Sequence, residues 1–177
     1  VEDFDDAGLA RQIDEVKKAL AGYETAYPFE FTSDAAECAR LWGIRSGIFP
    51  TVGSMRQQGT TCIIEDIAFH IEDLPDAIDE VSGLLDKYHY DDSCIYGHVL
   101  EGNVHFIINQ LFDSDKEVER YGEMLRDIVK IVVDKYDGSL KAEHGTGRNM
   151  APFVKAEWGE KAYSYMKRVK RLFDPQN

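Results

Sequence analysis

Residues 93–110, SCIYGHVLEGNVHFIINQ, contain two apolar runs separated by a turn signal. The runs Cys94–Tyr96 and Val104–Ile108 are rich in β-branched and aromatic residues, which favour strands. Gly102-Asn103 between them is a dipeptide that suits a tight turn. The stretch therefore predicts a β-hairpin whose two-residue turn lies at Gly102 and Asn103.

Two histidines, His98 and His105, lie on opposite arms of this hairpin. With a two-residue turn, Leu100 pairs with His105 and His98 with Ile107, so the two histidines share one face as diagonal neighbours. Diagonal side chains stand about 7–8 Å apart, a span that two imidazoles can close onto one metal at about 2.1 Å per bond. The alternative is two hydrogen-bonded, half-buried rings without a metal.

The rest of the chain mixes helical and strand patterns. Helices are predicted from the apolar spacing of residues 9–20, 74–88, 118–136 and 158–173, and a further helix is capped by Ser33-Asp34. Strand-like composition marks 23–32 and 61–71, and 139–142 is a short run. The long stretch 47–61, with Pro50, Gly53 and Gly59, predicts a loop. We predict an α+β fold in which helices pack on one face of an antiparallel sheet, in a ferredoxin-like arrangement.

Composition limits the classes of function. The chain has 177 residues, is 44% hydrophobic and carries 20 Lys and Arg against 33 Asp and Glu, a net charge of −13. This profile predicts one globular domain over 1–177 and argues against nucleic acid or anionic membrane surfaces as partners. With no apolar run of about 20 residues and an acidic N-terminus, we expect no membrane insertion and a cytoplasmic location. Because the first residue is Val1, we expect a domain excised from a longer chain.

A second polar motif, EHGTGR, occupies residues 143–148. Glu143 and His144 supply a carboxylate and a further imidazole, and two histidines with one carboxylate form a ligand set that suits Zn, Mn or Fe and leaves positions open for a substrate. The alternative for Glu143 is a solvated loop acid. Arg148 offers a planar fork that matches a carboxylate, or it is an ordinary surface arginine. The glycines fail the dinucleotide-binding pattern, and no Walker lysine follows them.

These motifs resemble a known family. The residues GH at 97–98, NVH at 103–105 and EHGTG at 143–147 are similar to those of the C-terminal domain of FAD-linked oxidases, the cap half of the glycolate oxidase, D-lactate dehydrogenase and D-2-hydroxyglutarate dehydrogenase group. LWGIR at 41–45 and RLFDP at 171–175 extend the resemblance over nearly the whole chain. The subgroup it resembles most carries a flavin domain before this one and an iron-sulfur domain after it.

The resemblance implies roles for particular residues. His98, His105 and Glu143 fall on the metal ligands, His144 on the proposed general base, and Arg45 on an arginine that pairs with the substrate carboxylate. The implied reaction oxidises a 2-hydroxy acid to a 2-oxo acid, with hydride transfer to FAD and a divalent metal as second cofactor. FAD is expected to be bound mainly by a domain outside these residues, and the isolated domain is expected to be inactive.

A second class of function stays open on the residues alone. A ferredoxin-like metal-binding or regulatory dimerisation module would use the same histidines without catalysis. A structural site of that kind closes its tetrahedron with four protein ligands, whereas a catalytic site keeps a position open.

Overall fold

The computed structural model describes residues 3–24 and 27–176. These described residues cluster into two compact units, one up to residue 48 and one from residue 49 onward. The first unit contains helix α1 (Asp6–Leu20) and most of α2 (Ala35–Met55). Helix α1 begins three residues before the predicted range of 9–20, and α2 begins at the predicted cap; an aspartate precedes each helix and accepts a backbone N–H. Asp5 accepts from Gly8 at 2.6 Å, and Asp34 accepts from Glu37 at 2.8 Å.

Two predictions in the first third of the chain are wrong. Residues 23–24 and 27–32 form no strand, and residues 25 and 26 of that predicted strand lie outside the described residues. Pro28 has no N–H to donate to a sheet, and an aromatic composition alone supplies no partner strand. The loop predicted over 47–61 is helical up to Met55, because α2 continues through Pro50.

The second unit is a small α+β fold. Its elements are β1 (Thr61–Ala68), α3 (Leu74–Lys87), β2 (Cys94–His98), β3 (Asn103–Gln110), α4 (Asp115–Val129), α5 (Gly147–Met150) and α6 (Val154–Phe173). The three strands form an antiparallel sheet in the order β1-β3-β2. The predicted α+β class is confirmed. Ser139 forms a bridge with Ala68 at the outer edge of β1, where a ferredoxin-like fold has its fourth strand.

The sheet has two chemically different faces. On one face Ile63, Ile67, Val104, Phe106 and Ile108 are buried in the same apolar cluster as residues of α3 and α4. The opposite face carries Asp66 and His105, which the strand register places directly across from each other. Successive side chains of a strand point to opposite faces, so Asp66 and His105, which are next to core residues in the sequence, face away from the core.

The turn of the hairpin differs from the prediction. Residues Val99–Glu101 form a 3-10 turn, and Gly102 follows in the left-handed region, so the connection has four residues. His98 therefore pairs with Asn103, and Tyr96 pairs with His105. Four and two are both even numbers, so His98 and His105 still share a face as diagonal neighbours.

Gly102 is the glycine on which this turn depends. Its φ is +63°, and a Cβ there would lie 2.0 Å from the carbonyl oxygen of Phe69. We expect Gly102→Ala to lower the free energy of unfolding by at least about 2 kcal/mol, since left-handed strain and a backbone clash add together. Urea denaturation followed by circular dichroism would measure this.

Gly83 is the matched control for that experiment. It lies on the exposed side of α3, and a Cβ there meets no atom within 4 Å. Gly83→Ala should raise stability by up to about 1 kcal/mol, as alanine does inside a helix. Equal effects of the two substitutions would contradict the role given to the turn.

Helix α4 begins at Asp115, shortly before the predicted range of 118–136, and the capping box that the sequence offers at Ser114 and Glu117 does not form. The Ser114 side chain makes no capping bond, and the Glu117 carboxylate accepts from Arg120 Nε at 2.9 Å instead of reaching back to Ser114. The helix continues as a π turn over Lys130–Lys135, which brings it to the predicted end near Tyr136.

Asp127 on α4 makes stability depend on pH. Hydrogen bonds from Lys130, Lys87 and Tyr88, at 2.8 Å each, hold the pKa of this carboxyl well below its usual range. A depressed pKa stabilises the fold above the unfolded pKa of about 4, and this contribution is lost as pH falls further. We expect Asp127→Asn to remove up to about 1 kcal/mol at neutral pH and to flatten the acid limb of the stability curve.

Denaturation midpoints between pH 2 and 7 would measure the effect. Asp79→Asn is the control, because Asp79 is exposed on α3 and makes no hydrogen bond or ion pair with any residue that the structure describes. Parallel acid limbs for the parent chain and Asp127→Asn would refute the assignment.

Helix α6 carries the predicted aromatic stripe, but Trp158, Tyr165, Val169 and Phe173 are exposed. Gly159, at φ +73°, interrupts the helical conformation near the start of α6.

Among the residues that the structure describes, we find no helix with the length and hydropathy of a membrane span.

Candidate metal centre

Three chain segments meet on the polar face of the sheet. Asp66 comes from β1, His98 and His105 come from the hairpin, and Glu143 and His144 come from the segment after the Ser139 bridge. That bridge sets the following residues alongside β1, where the Ala142 N–H donates to the Asp66 carbonyl at 3.3 Å. Residues far apart in sequence are thus brought together by strand register and edge pairing.

The three residues predicted as metal ligands lie close together. His98 Nε2 is 3.2 Å and His105 Nε2 is 3.1 Å from the same oxygen, Glu143 Oε1. Ligand atoms about 2.1 Å from a zinc ion at tetrahedral angles lie about 3.4 Å from one another, so the spacing fits a common cation. Two imidazole nitrogens and a carboxylate oxygen form a donor set that suits Zn, Mn or Fe.

Asp66 holds the segment that carries Glu143, and sequence reasoning missed this role. Its buried carboxylate accepts the backbone N–H groups of Glu143 at 2.7 Å and His144 at 2.8 Å, and the Asn103 amide at 2.6 Å. Burial raises the pKa of Asp66, but these hydrogen bonds outweigh burial and the net pKa is lowered. The signal in the sequence was an acid in the middle of an apolar strand.

His105 is the buried member of the trio. Burial lowers the pKa of its imidazole, which favours the neutral ring that a metal requires. Its Nδ1 lies 3.3 Å from Asp66 Oδ1 but makes no hydrogen bond with the described residues. A carboxylate beside the non-ligating nitrogen is the usual surrounding of a metal-binding histidine, so this arrangement fits a metal site.

His144 lies beside the trio. Its ring stacks on that of His105, with centroids 4.7 Å apart and planes 6° apart. Its Nε2 is 3.9 Å from Glu143 Oε1, and its Nδ1 is 4.0 Å from Asp66 Oδ2. The side chain is 40% exposed, which leaves it accessible to a bound molecule.

A second group of potential ligands, Asp66, His105 and His144, overlaps the first. This second group is less suited to bind a metal, because the two oxygens of Asp66 already accept three hydrogen bonds from the protein. The Glu143 carboxylate, in contrast, lies close to the two imidazoles and accepts no hydrogen bond from any other residue that the structure describes. The first trio is therefore the better candidate.

The two predicted substrate arginines belong to different parts of the chain. Arg45 belongs to the first unit, where its guanidinium lies 5.1 Å from the Trp42 ring centroid. Arg148 is exposed on α5 and makes no hydrogen bond or ion pair with any described residue. Their roles stay predictions.

A cavity of about 650 Å³ opens beside the candidate ligands. His98 and Glu143 line it together with Asn103, Ser139 and Lys141. This volume falls in the range of small-molecule sites and leaves ample room for a small organic acid.

Comparison with known proteins shows which family and which relatives the chain resembles. The family model described as FAD linked oxidases, C-terminal domain, matches residues 2–177. The chain is 29% identical over 138 residues to the D-2-hydroxyglutarate dehydrogenase of Stutzerimonas stutzeri (strain A1501). The aligned region covers 76% of this chain and 28% of that protein.

Two further relatives carry other names. The chain is 26% identical over 117 residues to the glycolate oxidase subunit GlcD of Bacillus subtilis (strain 168), covering 66% of this chain and 24% of that protein. It is 26% identical over 169 residues to the mitochondrial D-lactate dehydrogenase [cytochrome] of Arabidopsis thaliana, covering 94% and 29%. The chain thus spans less than a third of the length of these relatives. Because the family model covers almost every residue, the chain belongs to the C-terminal domain family of FAD linked oxidases.

Proposed function

We propose that this chain is the substrate- and metal-binding part of a flavin-dependent dehydrogenase that oxidises a 2-hydroxy acid to a 2-oxo acid. The observation that carries the proposal is the convergence of His98, His105 and Glu143, with His144 beside them, in a member of this family. The names of the relatives support a substrate of the D-lactate, glycolate or D-2-hydroxyglutarate type.

His98, His105 and Glu143 would hold the cation through two ring nitrogens and one carboxylate oxygen. Three protein ligands leave coordination positions free, as catalytic rather than structural sites do. A divalent cation bound there would supply a Lewis acid that lowers the pKa of the substrate hydroxyl, and FAD, bound mainly by a domain outside these residues, would supply the hydride acceptor.

His144 would act as the general base. Its ring is accessible, lies beside the proposed ligands, and accepts the hydroxyl proton at a ring nitrogen. Asp66 holds the His144 backbone N–H, and the His144 ring stacks on that of His105. The substrate loses this proton and one hydride, so the alcohol carbon becomes a carbonyl.

Arg45 and Arg148 are proposed to pair with the substrate carboxylate, which would direct the α-hydrogen toward the flavin. The proposal includes an FAD-binding domain as partner, an iron-sulfur domain as electron acceptor and a cytoplasmic location. The chain alone would be inactive, since nothing in its described residues resembles a flavin site.

Anaerobic reduction of the flavin tests the proposal. The protein in which this chain is joined to its flavin domain would be mixed with a panel of D- and L-2-hydroxy acids, and the loss of flavin absorbance would be followed. We expect one or more 2-hydroxy acids to bleach the flavin. The control, 2-hydroxyisobutyrate, has no α-hydrogen and should leave the flavin oxidised; a panel without any bleaching would refute the proposed reaction.

A further inference from the structure

Glu65 is a buried acid on the opposite side of the sheet from the candidate metal centre. It directly precedes Asp66, pairs across the strands with Phe106, and is fully buried. Because successive side chains of a strand point to opposite faces, Asp66 points to the histidines and Glu65 to the core side. The catalytic roles proposed above do not use Glu65.

The two oxygens of Glu65 bind side chains from both ends of one segment. Lys141 Nζ donates to Oε2 at 2.8 Å, and Asn149 Nδ2 donates to Oε1 at 2.8 Å. Lys141 is itself largely buried, with 13% of its side chain exposed. Between these two residues lie Glu143 and His144.

This segment has little regular structure of its own. Residues 140–146 form neither helix nor strand, and Gly145 and Gly147 adopt φ values of +72° and +62°. Such a segment depends on side-chain contacts for its conformation. Asp66 holds its middle through two backbone N–H groups, while Glu65 holds both of its ends.

A buried ion pair such as Glu65–Lys141 contributes little net stability to a fold. Removing charges from water costs about as much as their attraction returns, and apolar residues of similar size often stabilise a core better. What the pair supplies is a fixed geometry, because Lys141 and Asn149 must both reach one carboxylate.

We propose that Glu65 is a positioning residue, which places Glu143 and His144 in the metal centre by fixing Lys141 and Asn149. The expected effect of Glu65 on metal affinity rests on the proposed function. The expected effect on the conformation of residues 141–149 does not depend on that function.

The test compares Glu65→Gln with Glu80→Gln in the 177-residue chain. Glutamine keeps the size of Glu65 and an oxygen for Asn149, but it removes the charge that Lys141 requires. Glu80 on α3 is a matched control, because it also accepts from a lysine and a second donor, Lys135 and Tyr136, more than 50 residues away. Thermal denaturation would check that both variants fold.

Amide hydrogen exchange without metal is the first readout. We expect protection of the Glu143 and His144 amides to fall at least about tenfold in Glu65→Gln while β3 stays protected, and no such change in Glu80→Gln. Unchanged protection at Glu143 and His144 would overturn the inference.

Cobalt binding, followed by visible absorption, is the second readout. The dissociation constant should rise about 10–100-fold in Glu65→Gln, as it does when outer-shell contacts of metal ligands are removed. Adding Lys141→Met should produce little further loss, because both substitutions break the same contact; fully additive losses would overturn the inference. A parent chain that binds no cobalt would refute the proposed metal centre, while the exchange data alone would then decide the role of Glu65.

Discussion

Replacing His98 with alanine is expected to abolish tight binding of a divalent cation while leaving the chain folded. His98 Nε2 is one of three ligand atoms in the proposed centre, and its side chain is 40% exposed, so its removal opens no cavity in the core. Loss of a direct ligand should raise the dissociation constant by at least about 100-fold, the upper end of what outer-shell changes cost.

Metal content after dialysis against zinc or manganese, with calorimetric titration, would measure this loss. His70→Ala is the control, because His70 is an exposed histidine at the end of the β1 segment and belongs to neither group of potential ligands among the described residues. The same affinity in His98→Ala and the parent chain would remove His98 from the centre. Equal losses in His98→Ala and His70→Ala would point to a non-specific effect of histidine number.

The shared face of the two histidines was predictable from sequence, although the turn was not. Sequence favoured a two-residue turn, whereas the structure has a four-residue connection with Gly102 at its end. Strand faces alternate with a period of two, so any even change in turn length preserves which residues share a face. The site prediction therefore needed only the parity of the turn.

Asp66 shows what sequence patterns could not provide. An acid within an apolar strand is visible as an anomaly, but its function depends on which loop crosses the strand edge. That loop is placed by the Ser139 bridge to Ala68 and by hydrogen bonds across more than 70 residues. No local periodicity encodes such contacts, so Glu143 was predictable as a candidate ligand while its support was not.

The errors in the first third of the chain have a different cause. Proline and glycine in 47–61 predicted a loop, yet α2 includes Pro50 and Gly53. A proline inside a helix costs about 3 kcal/mol, so local propensity argues strongly against this helix. Helix α2 continues through Pro50 all the same, although none of its residues is buried, so this proline does not mark the end of a helix.

His144→Ala should separate the chemical step from metal binding. In the protein that joins this chain to its flavin domain, we expect turnover to fall about 10²–10⁴-fold, the contribution of a positioned general base. Metal and flavin content should stay unchanged, because the hydrogen bond that Asp66 accepts from His144 comes from the backbone N–H, which alanine keeps. Steady-state kinetics and metal analysis of the same preparation would measure both quantities.

Added imidazole gives this prediction a readout that a change in folding would not produce. If the ring of His144 only takes a proton, free imidazole can enter the space it leaves and restore part of the turnover, since His98, His105 and Glu143 remain in place. Unchanged turnover would remove His144 from the mechanism. Loss of metal together with turnover would instead assign it to the overlapping ligand group of Asp66, His105 and His144, and the base would then have to be sought among other groups lining the cavity.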